Sequence, residues 1–320
     1  MNDEAGRSCP VRYRYGAGAL ARVRPMDAEI LYVVGGLYGN LPALNAIEAM
    51  AEAENRPVTL CFNGDFNWFN IDDQSFGEIN RRVLAHQAIV GNVEAEFGVA
   101  GSDDGCGCAY PDSVDEAVVQ RSNRIHSRLK ATAARFPEIL KALASLPMYA
   151  RFQVGDCRIG VVHGDADSLS GWLFDAPEMD RPAARPWLAK VFDQAQVDVF
   201  ASTHTCLAAM RTIRFGNDDA AVINNGAAGM PNFDSGTFGI ITRISARPGP
   251  HPPCYATQVR GVHVEALPVE YDQSTWQSSF LRNWPEGSDA HRSYFDRISN
   301  GTRSSLSDAV SDLGMSQSGK

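Results

Sequence analysis

Five times along this chain a run of strand-forming residues stops on a short polar group rich in Gly, Asn, His or Asp. The clearest is Val58-Thr59-Leu60-Cys61-Phe62-Asn63-Gly64-Asp65, in which five residues of strand character run into Asn-Gly-Asp. The others are Gly91-Asn92, His163-Gly164-Asp165, Ser202-Thr203-His204 and Asn224-Asn225-Gly226. Singly, each reads as a strand-ending turn, because Asn, Gly and Asp are ordinary turn residues. Repeated, they constrain the fold. Open α/β sheets bind ligands in the crevice at the carboxyl ends of their strands, and each of these groups would stand at such an end. Glycine lets the backbone turn sharply there and leaves Asp65 pointing into the crevice.

Composition removes several function classes. The 320 residues are 44% hydrophobic and 21% charged, which suits a globular chain of one large domain or two small ones. Lys plus Arg number 29 against 38 Asp plus Glu, a formal charge of -9 that disfavours phosphate-backbone binding, and no nucleic-acid module is visible. No apolar run is long enough to span a bilayer, and the polar first ten residues carry no signal-peptide core. Seven cysteines make a disulfide framework unexpected, so the setting is read as reducing and cytoplasmic.

Residues 1–28 read as an irregular basic arm lying over its own acidic domain, and residues 29–247 as the main domain. Ile30 opens a buried strand that breaks into Gly35-Gly36-Leu37-Tyr38-Gly39-Asn40. Asn40 is a good N-cap, with Pro42 in the first turn of the helix that follows. Further helices are predicted over 73–85, 114–132, 137–145 and 185–195. A hairpin is predicted over 148–162, and strands over 197–201, 221–223 and 238–244, the last closing the sheets. Residues 98–113 form an irregular insertion in which Cys106-Gly107-Cys108 reads as loop filler. Beyond the proline-rich stretch 248–253, an extension to residue 299 carries an edge strand, 262–269, and two helices. Residues 300–320, rich in Ser and Gly, are expected to be disordered.

The ordered set of strand ends resembles the calcineurin-like metallophosphoesterase superfamily, particularly its small bacterial and archaeal phosphodiesterase branch. That family reads Asp-x-His, Gly-Asp, Gly-Asn-His-Asp/Glu, His-Gly and Gly-His-x-His, each at a strand end. The resemblance runs from Ile30 to about Ile244 and includes the stretch from Phe136-Pro137 through Leu146-Pro147. It implies an α/β protein built as a four-layered α/β/β/α sandwich of the metallophosphoesterase type. It also exposes departures. The family's first Asp and His fall on Gly36 and Tyr38, its catalytic His on Val93, and the first His of its last motif on Ser202. Asp65, Asn92, His163 and His204 remain. The resemblance therefore assigns Asp65, Asn92 and His163 to one metal position, lacking a fourth protein ligand, and only Asp65 and His204 to the other.

A site of three ligands with an open position can still hold one divalent ion, manganese, iron or zinc, and activate a water. Ser202, Asp165 or Glu94 could complete the shell, and Cys206 is a soft ligand near His204. Tyr38, Glu94 and Asp167 are the catalytic candidates, and Asn92 and Asn225 the candidate phosphate contacts. Three functions compete. The first is a metal-dependent phosphohydrolase with a reduced site, acting on a small phosphorylated molecule. The second is a catalytically inactive binding or scaffold protein, as the retromer subunit of the superfamily is. The third is a repurposed Cys/His site, should the Cys106–Cys108 insertion fold over the crevice. The insertion and the extension could equally form a lid or a homodimer contact.

Overall fold

A computed structural model describes residues 5–98, 105–216 and 218–314. The amino-terminal segment carries helix α1 (Gly18–Ala21) and strand β1 (Met26–Asp27). There follow β2 (Ile30–Val34), α2 (Leu41–Glu52), β3 (Val58–Phe62), α3 (Asp73–Val83), β4 (Gln87–Ala88) and α4 (Asn92–Ala95). After the insertion come α5 (Glu116–Ala133), α6 (Pro137–Ala144) and the hairpin β5 (Tyr149–Val154) and β6 (Cys157–Val162). The chain continues with α7 (Ala176–Asp180), α8 (Arg185–Ala195), β7 (Val199–Ser202), β8 (Ala208–Phe215), β9 (Asp218–Asn225) and β10 (Gly239–Ser245). It closes with β11 (Tyr255–Val259), β12 (Val262–Val269), α9 (Gln273–Asn283), α10 (Asp289–Asn300), α11 (Leu306–Ala309) and β13 (Val310–Gly314).

Two sheets form, in the orders β1-β5-β6-β7-β9-β8-β13 and β11-β12-β10-β2-β3-β4. The alternation of side chains along a strand explains the layering. In β2, Leu31 and Val33 enter the core between the sheets, where they meet Phe152, Ile159, Val199 and Ile223 of the opposite sheet. Ile30, Tyr32 and Val34 point the other way, into a core shared with α2, α3, α5, α9 and α10. The outer face of the seven-stranded sheet, through Val162, Phe200 and Val222, packs on Leu188, Val191 and Phe192 of α8. The four-layered α/β/β/α sandwich follows.

Local signals place the elements as read. Asn40 accepts the Ala43 N–H at 2.9 Å and starts α2, and Asp72 accepts the Ser75 N–H at 2.9 Å to start α3. Because β2, β3 and β4 are parallel, as are β6, β7 and β9, their carboxyl ends fall on one edge of each sheet.

Three expectations are corrected. The strand 262–269 is not an edge: β12 pairs with both β10 and β11, so the extension after 248 completes the six-stranded sheet. The tail is not wholly disordered: β13 pairs in parallel with β8, anchored by buried Ala309 and Leu313 that a Ser-rich composition hides. The strand β8 itself was not expected, since Arg211 interrupts its apolar pattern. Arg211 is buried, and its Nε meets Asp180 Oδ1 at 2.7 Å. Across the first 28 residues, Tyr13 and Leu20 are buried and Arg7 pairs with Glu116 at 2.9 Å. No helix among the described residues is long and apolar enough to cross a membrane.

Candidate metal centre

The turn after β3 is built for close approach. Gly64 sits at φ +92°, and a Cβ there would lie 2.5 Å from Gly91 Cα and 2.7 Å from His163 Nδ1. Only glycine lets the ends of β3, β4 and β6 meet. Asp65 follows at φ +53°, a conformation that Asp tolerates better than most residues. Glu94 secures this turn: its carboxylate accepts the Asp65 N–H at 2.9 Å and the Asn67 N–H at 3.1 Å. Burial, and then the nearby Asp65 charge, push the Glu94 carboxyl up to about 7. Both of its oxygens are thus committed to backbone, and Glu94 is a clamp on the Asp65 turn instead of a group facing a substrate.

Four acceptor atoms converge beside it. His163 Nδ1 lies 2.8 Å from the Asn63 carbonyl, so in the neutral ring Nδ1 donates and Nε2 is left with a lone pair. That Nε2 is 3.0 Å from Asn92 Oδ1, 3.2 Å from His204 Nδ1 and 3.4 Å from Asp65 Oδ1. Asn92 donates its Nδ2 to the Cys106 carbonyl at 2.9 Å, which turns its oxygen inward. His204 Nε2 lies 3.0 Å from the Cys108 carbonyl, which leaves Nδ1 bare. Outer partners of this kind fix the tautomer and aim of metal-binding imidazoles. Ligands about 2.1 Å from one cation stand about 3.0–3.4 Å apart at octahedral or tetrahedral angles, which matches these separations.

All four side chains are buried, and Asp65, His163 and His204 form a group able to hold a metal ion. Burial works against both charges of the Asp65–His163 pair, yet their mutual attraction holds the carboxyl below and the imidazole above its ordinary value. Burial, and then His163, press the His204 imidazole down to about 3. The sequence reading gave His204 to the other metal position. In the structure its Nδ1 stands 3.2 Å from His163 Nε2, so all four residues share one cluster.

The space of that other position is filled. Tyr38, at φ +55°, packs its ring 5.9 Å from Phe69, and its hydroxyl is 2.7 Å from Cys206 Sγ. A Cβ on Gly36 would lie 2.9 Å from the Tyr38 Cε2, Cζ and hydroxyl oxygen, and Gly36 itself is at φ +63°. Gly36→Asp alone is therefore expected to cost about 2–3 kcal/mol through backbone strain and overpacking. Combined with Tyr38→His, the overlap disappears, and the double variant is expected to melt above the single one and to bind more metal than the native chain. Elemental analysis and a thermal melt on the same samples check both points. A folded double variant with no extra metal would show that the space beside Gly36 and Tyr38 has been rebuilt.

The remaining sequence candidates lie elsewhere or are otherwise engaged. Asp167 faces the amino-terminal segment and α8, accepting from Ala17 N at 3.2 Å and Trp187 Nε1 at 2.8 Å. Asp165 accepts the N–H groups of Asp167, Ser168 and Leu173 and shapes the loop after β6; burial raises its carboxyl to about 6. Ser202 Oγ donates to the Gly164 carbonyl at 2.6 Å. Asn225 Nδ2 donates to Gly35 and Ile240 carbonyls and ties the two sheets together. Cys206, at φ +62°, holds Tyr38 and is outside the acceptor cluster.

Two features had no sequence signal strong enough to be read. The Cys106-Gly107-Cys108 turn folds over the crevice and supplies the carbonyls that orient Asn92 and His204. Its two cysteines are bonded to each other, contrary to the reduced set expected, because Gly107 at φ +64° brings their Cα atoms to 5.3 Å. Cys9, Cys61, Cys157, Cys206 and Cys254 are free. Beside the cluster opens a cavity of about 330 Å³ lined by Asp65, Asn92, His204, Trp68, Tyr110, Trp172 and Tyr294 among others. These aromatics are too scattered in sequence to register as a pattern.

Two stacked sheets with acid, amide and imidazole groups on the loops at their carboxyl ends define the calcineurin-like metallophosphoesterase fold. A metallophosphoesterase from Sphaerobacter thermophilus superposes with a TM-score of 0.54 at 18% identity, over 87% of this chain and 100% of that one. A hypothetical protein from Pyrococcus horikoshii OT3 does so with a TM-score of 0.56 at 16% identity, over the same shares. At such identity the likeness establishes the fold. No family model matches the sequence, and no curated protein matches it.

Proposed function

We propose that the crevice holds one divalent cation, manganese, iron or zinc, and that the protein hydrolyses a phosphate ester of a small molecule there. The observation that carries this is the convergence of four acceptor atoms, Asp65 Oδ1, Asn92 Oδ1, His163 Nε2 and His204 Nδ1, with both imidazoles oriented by carbonyls. A cation between them would satisfy all four at once. Bound there, a cation would polarise a phosphoryl oxygen and lower the pKa of a bound water.

The chain's own residues limit the chemistry. Val93 stands where the family carries its catalytic histidine and cannot move a proton. The Tyr38 hydroxyl is held protonated by burial and is tied to Cys206. A missing general acid typically costs about 100-fold or more, so esters with good leaving groups are the expected substrates. The filling of the other metal position by Tyr38 favours a second reading, in which the chain binds a phosphorylated ligand without turnover.

Protein purified without chelators, analysed for metal and assayed on bis(p-nitrophenyl) phosphate and on a dialkyl phosphate, separates the two. One equivalent of metal with turnover of the aryl ester alone supports the hydrolase. Metal without turnover of either ester moves the assignment to binding. Absence of metal after incubation with manganese, iron and zinc overturns the cation site.

A further inference from the structure

We infer that the ligand of this crevice is an aryl phosphate, with a planar ring system of about two fused rings seated in the cavity beside the acceptor cluster. The inference rests on the proposed cation site for the phosphoryl end. Its own grounds are the cavity walls. Trp172 stands edge-on to His204, ring centres 5.3 Å apart, and Tyr110 lies 5.9 Å beyond Trp172. An aromatic wall thus begins at a cation ligand and runs outward. Trp68 and Tyr294, 6.3 Å apart and edge-to-face, line the same space. Four aromatic rings around about 330 Å³ offer faces and edges to a flat guest and little to a flexible chain or a bare anion.

Charge points the same way. Among the cavity-lining residues the charged side chains outside the cluster are Arg121 and Arg292, one from α5 and one from α10. With a cation at Asp65, the space is positive at its inner end and carries guanidinium groups on its walls, which suits one anionic group joined to an apolar body. The walls are shared between the main domain, which gives Trp68, Trp172 and Arg121, and two further segments. Tyr110 comes from the insertion, and Arg292 and Tyr294 from the carboxyl-terminal extension. The insertion and the extension thus share the selection of the ligand with Trp68, Trp172 and Arg121 of the main domain.

The test uses the full chain, manganese, 1-naphthyl phosphate and methyl phosphate, with binding followed by calorimetry. The native protein is expected to bind 1-naphthyl phosphate at least about tenfold more tightly than methyl phosphate, as stacking on aromatic walls provides. Two variants leave the acceptor cluster untouched. Val118→Trp fills the cavity from α5, and Tyr294→Ala removes one wall. Each is expected to shrink the preference to about twofold or less while manganese still binds. Equal affinity for the two phosphates in native protein that binds manganese overturns this inference and leaves the cation site standing. An undiminished preference in both variants also overturns it. A naphthyl preference that persists without bound manganese supports the aromatic cavity and sinks the cation site instead.

Discussion

His163→Ala is expected to abolish stoichiometric binding of manganese or zinc, with affinity falling about 100-fold or more. His163 Nε2 is the common neighbour of the other three acceptors, at 3.0, 3.2 and 3.4 Å, so its loss opens the cluster at its centre. The imidazole also faces the Asp65 carboxylate in a fully buried setting. Without it, Asp65 loses the partner that holds its carboxyl low and takes up a proton more readily, which further weakens any cation site. The same change leaves a void and a buried carboxyl that keeps only the Val93 N–H, so a stability loss of about 2–4 kcal/mol is expected beside the loss of metal. Thermal melting of metal-free native and variant protein gives that baseline. Metal content after dialysis, on samples confirmed folded, gives the binding result. A folded variant that retains one equivalent of metal would refute this ligand set.

The largest structural effect is expected at Arg243. It lies in β10 with Glu265 of β12 and Tyr32 of β2 directly across from it. Its side chain is 1% exposed, and those of Glu54 and Glu265 are 3% and 5%. Arg243 Nε meets Glu54 Oε1 at 2.6 Å, its Nη1 meets Glu265 Oε2 at 2.7 Å, and the Tyr32 hydroxyl donates to Glu54 at 2.8 Å. Removing the cation leaves two buried carboxylates facing each other. Arg243→Met is therefore expected to destabilise the fold by about 3–5 kcal/mol. Replacing both glutamates by leucine in the same chain should recover most of that loss, because an apolar set of similar volume needs no partner.

The acid dependence should move with it. Burial alone would raise the Glu54 carboxyl, but hydrogen bonds from Arg243 and Tyr32 outweigh it and hold the group below its ordinary value. A depressed carboxyl stabilises the fold above its unfolded value of about 4.3, and that stability is lost as pH falls through the lower folded value. Native protein should thus lose stability in that acid window, and Arg243→Met should lose less there. Chemical denaturation at several pH values reads both effects. A loss below about 1 kcal/mol in the single variant would show that the carboxylates find other partners.

The two outcomes trace what a sequence can and cannot disclose here. The layered fold was legible because its causes are local. The apolar run of β2, the Asn40 and Asp72 caps and the Gly-Asp and Gly-Asn strand ends each specify their geometry within a few residues. Carboxylates were the harder case. Asp65, Glu94, Asp165 and Asp167 all follow strand ends, but whether such a group meets a ligand or a backbone N–H depends on where other segments arrive. Glu94, Asp165 and Asp167 all accept from backbone N–H groups. Motif order placed His204 near Asp65, and only the Cys108 carbonyl, reaching in from the insertion, shows which nitrogen it turns inward. The cavity was illegible for the same reason, since Trp68, Tyr110, Trp172 and Tyr294 meet only after the insertion and the extension have folded across the crevice.

The overlap between Gly36 and Tyr38 couples two positions of the chain. While an aromatic ring rests on residue 36, every side chain there is penalised, so an aspartate there must wait until the tyrosine has gone. Departure of the tyrosine first would leave an unfilled hollow with no charge to occupy it. Each single change is uphill although the pair together need not be, so residues 36 and 38 can change only in concert, as the two halves of a latch do.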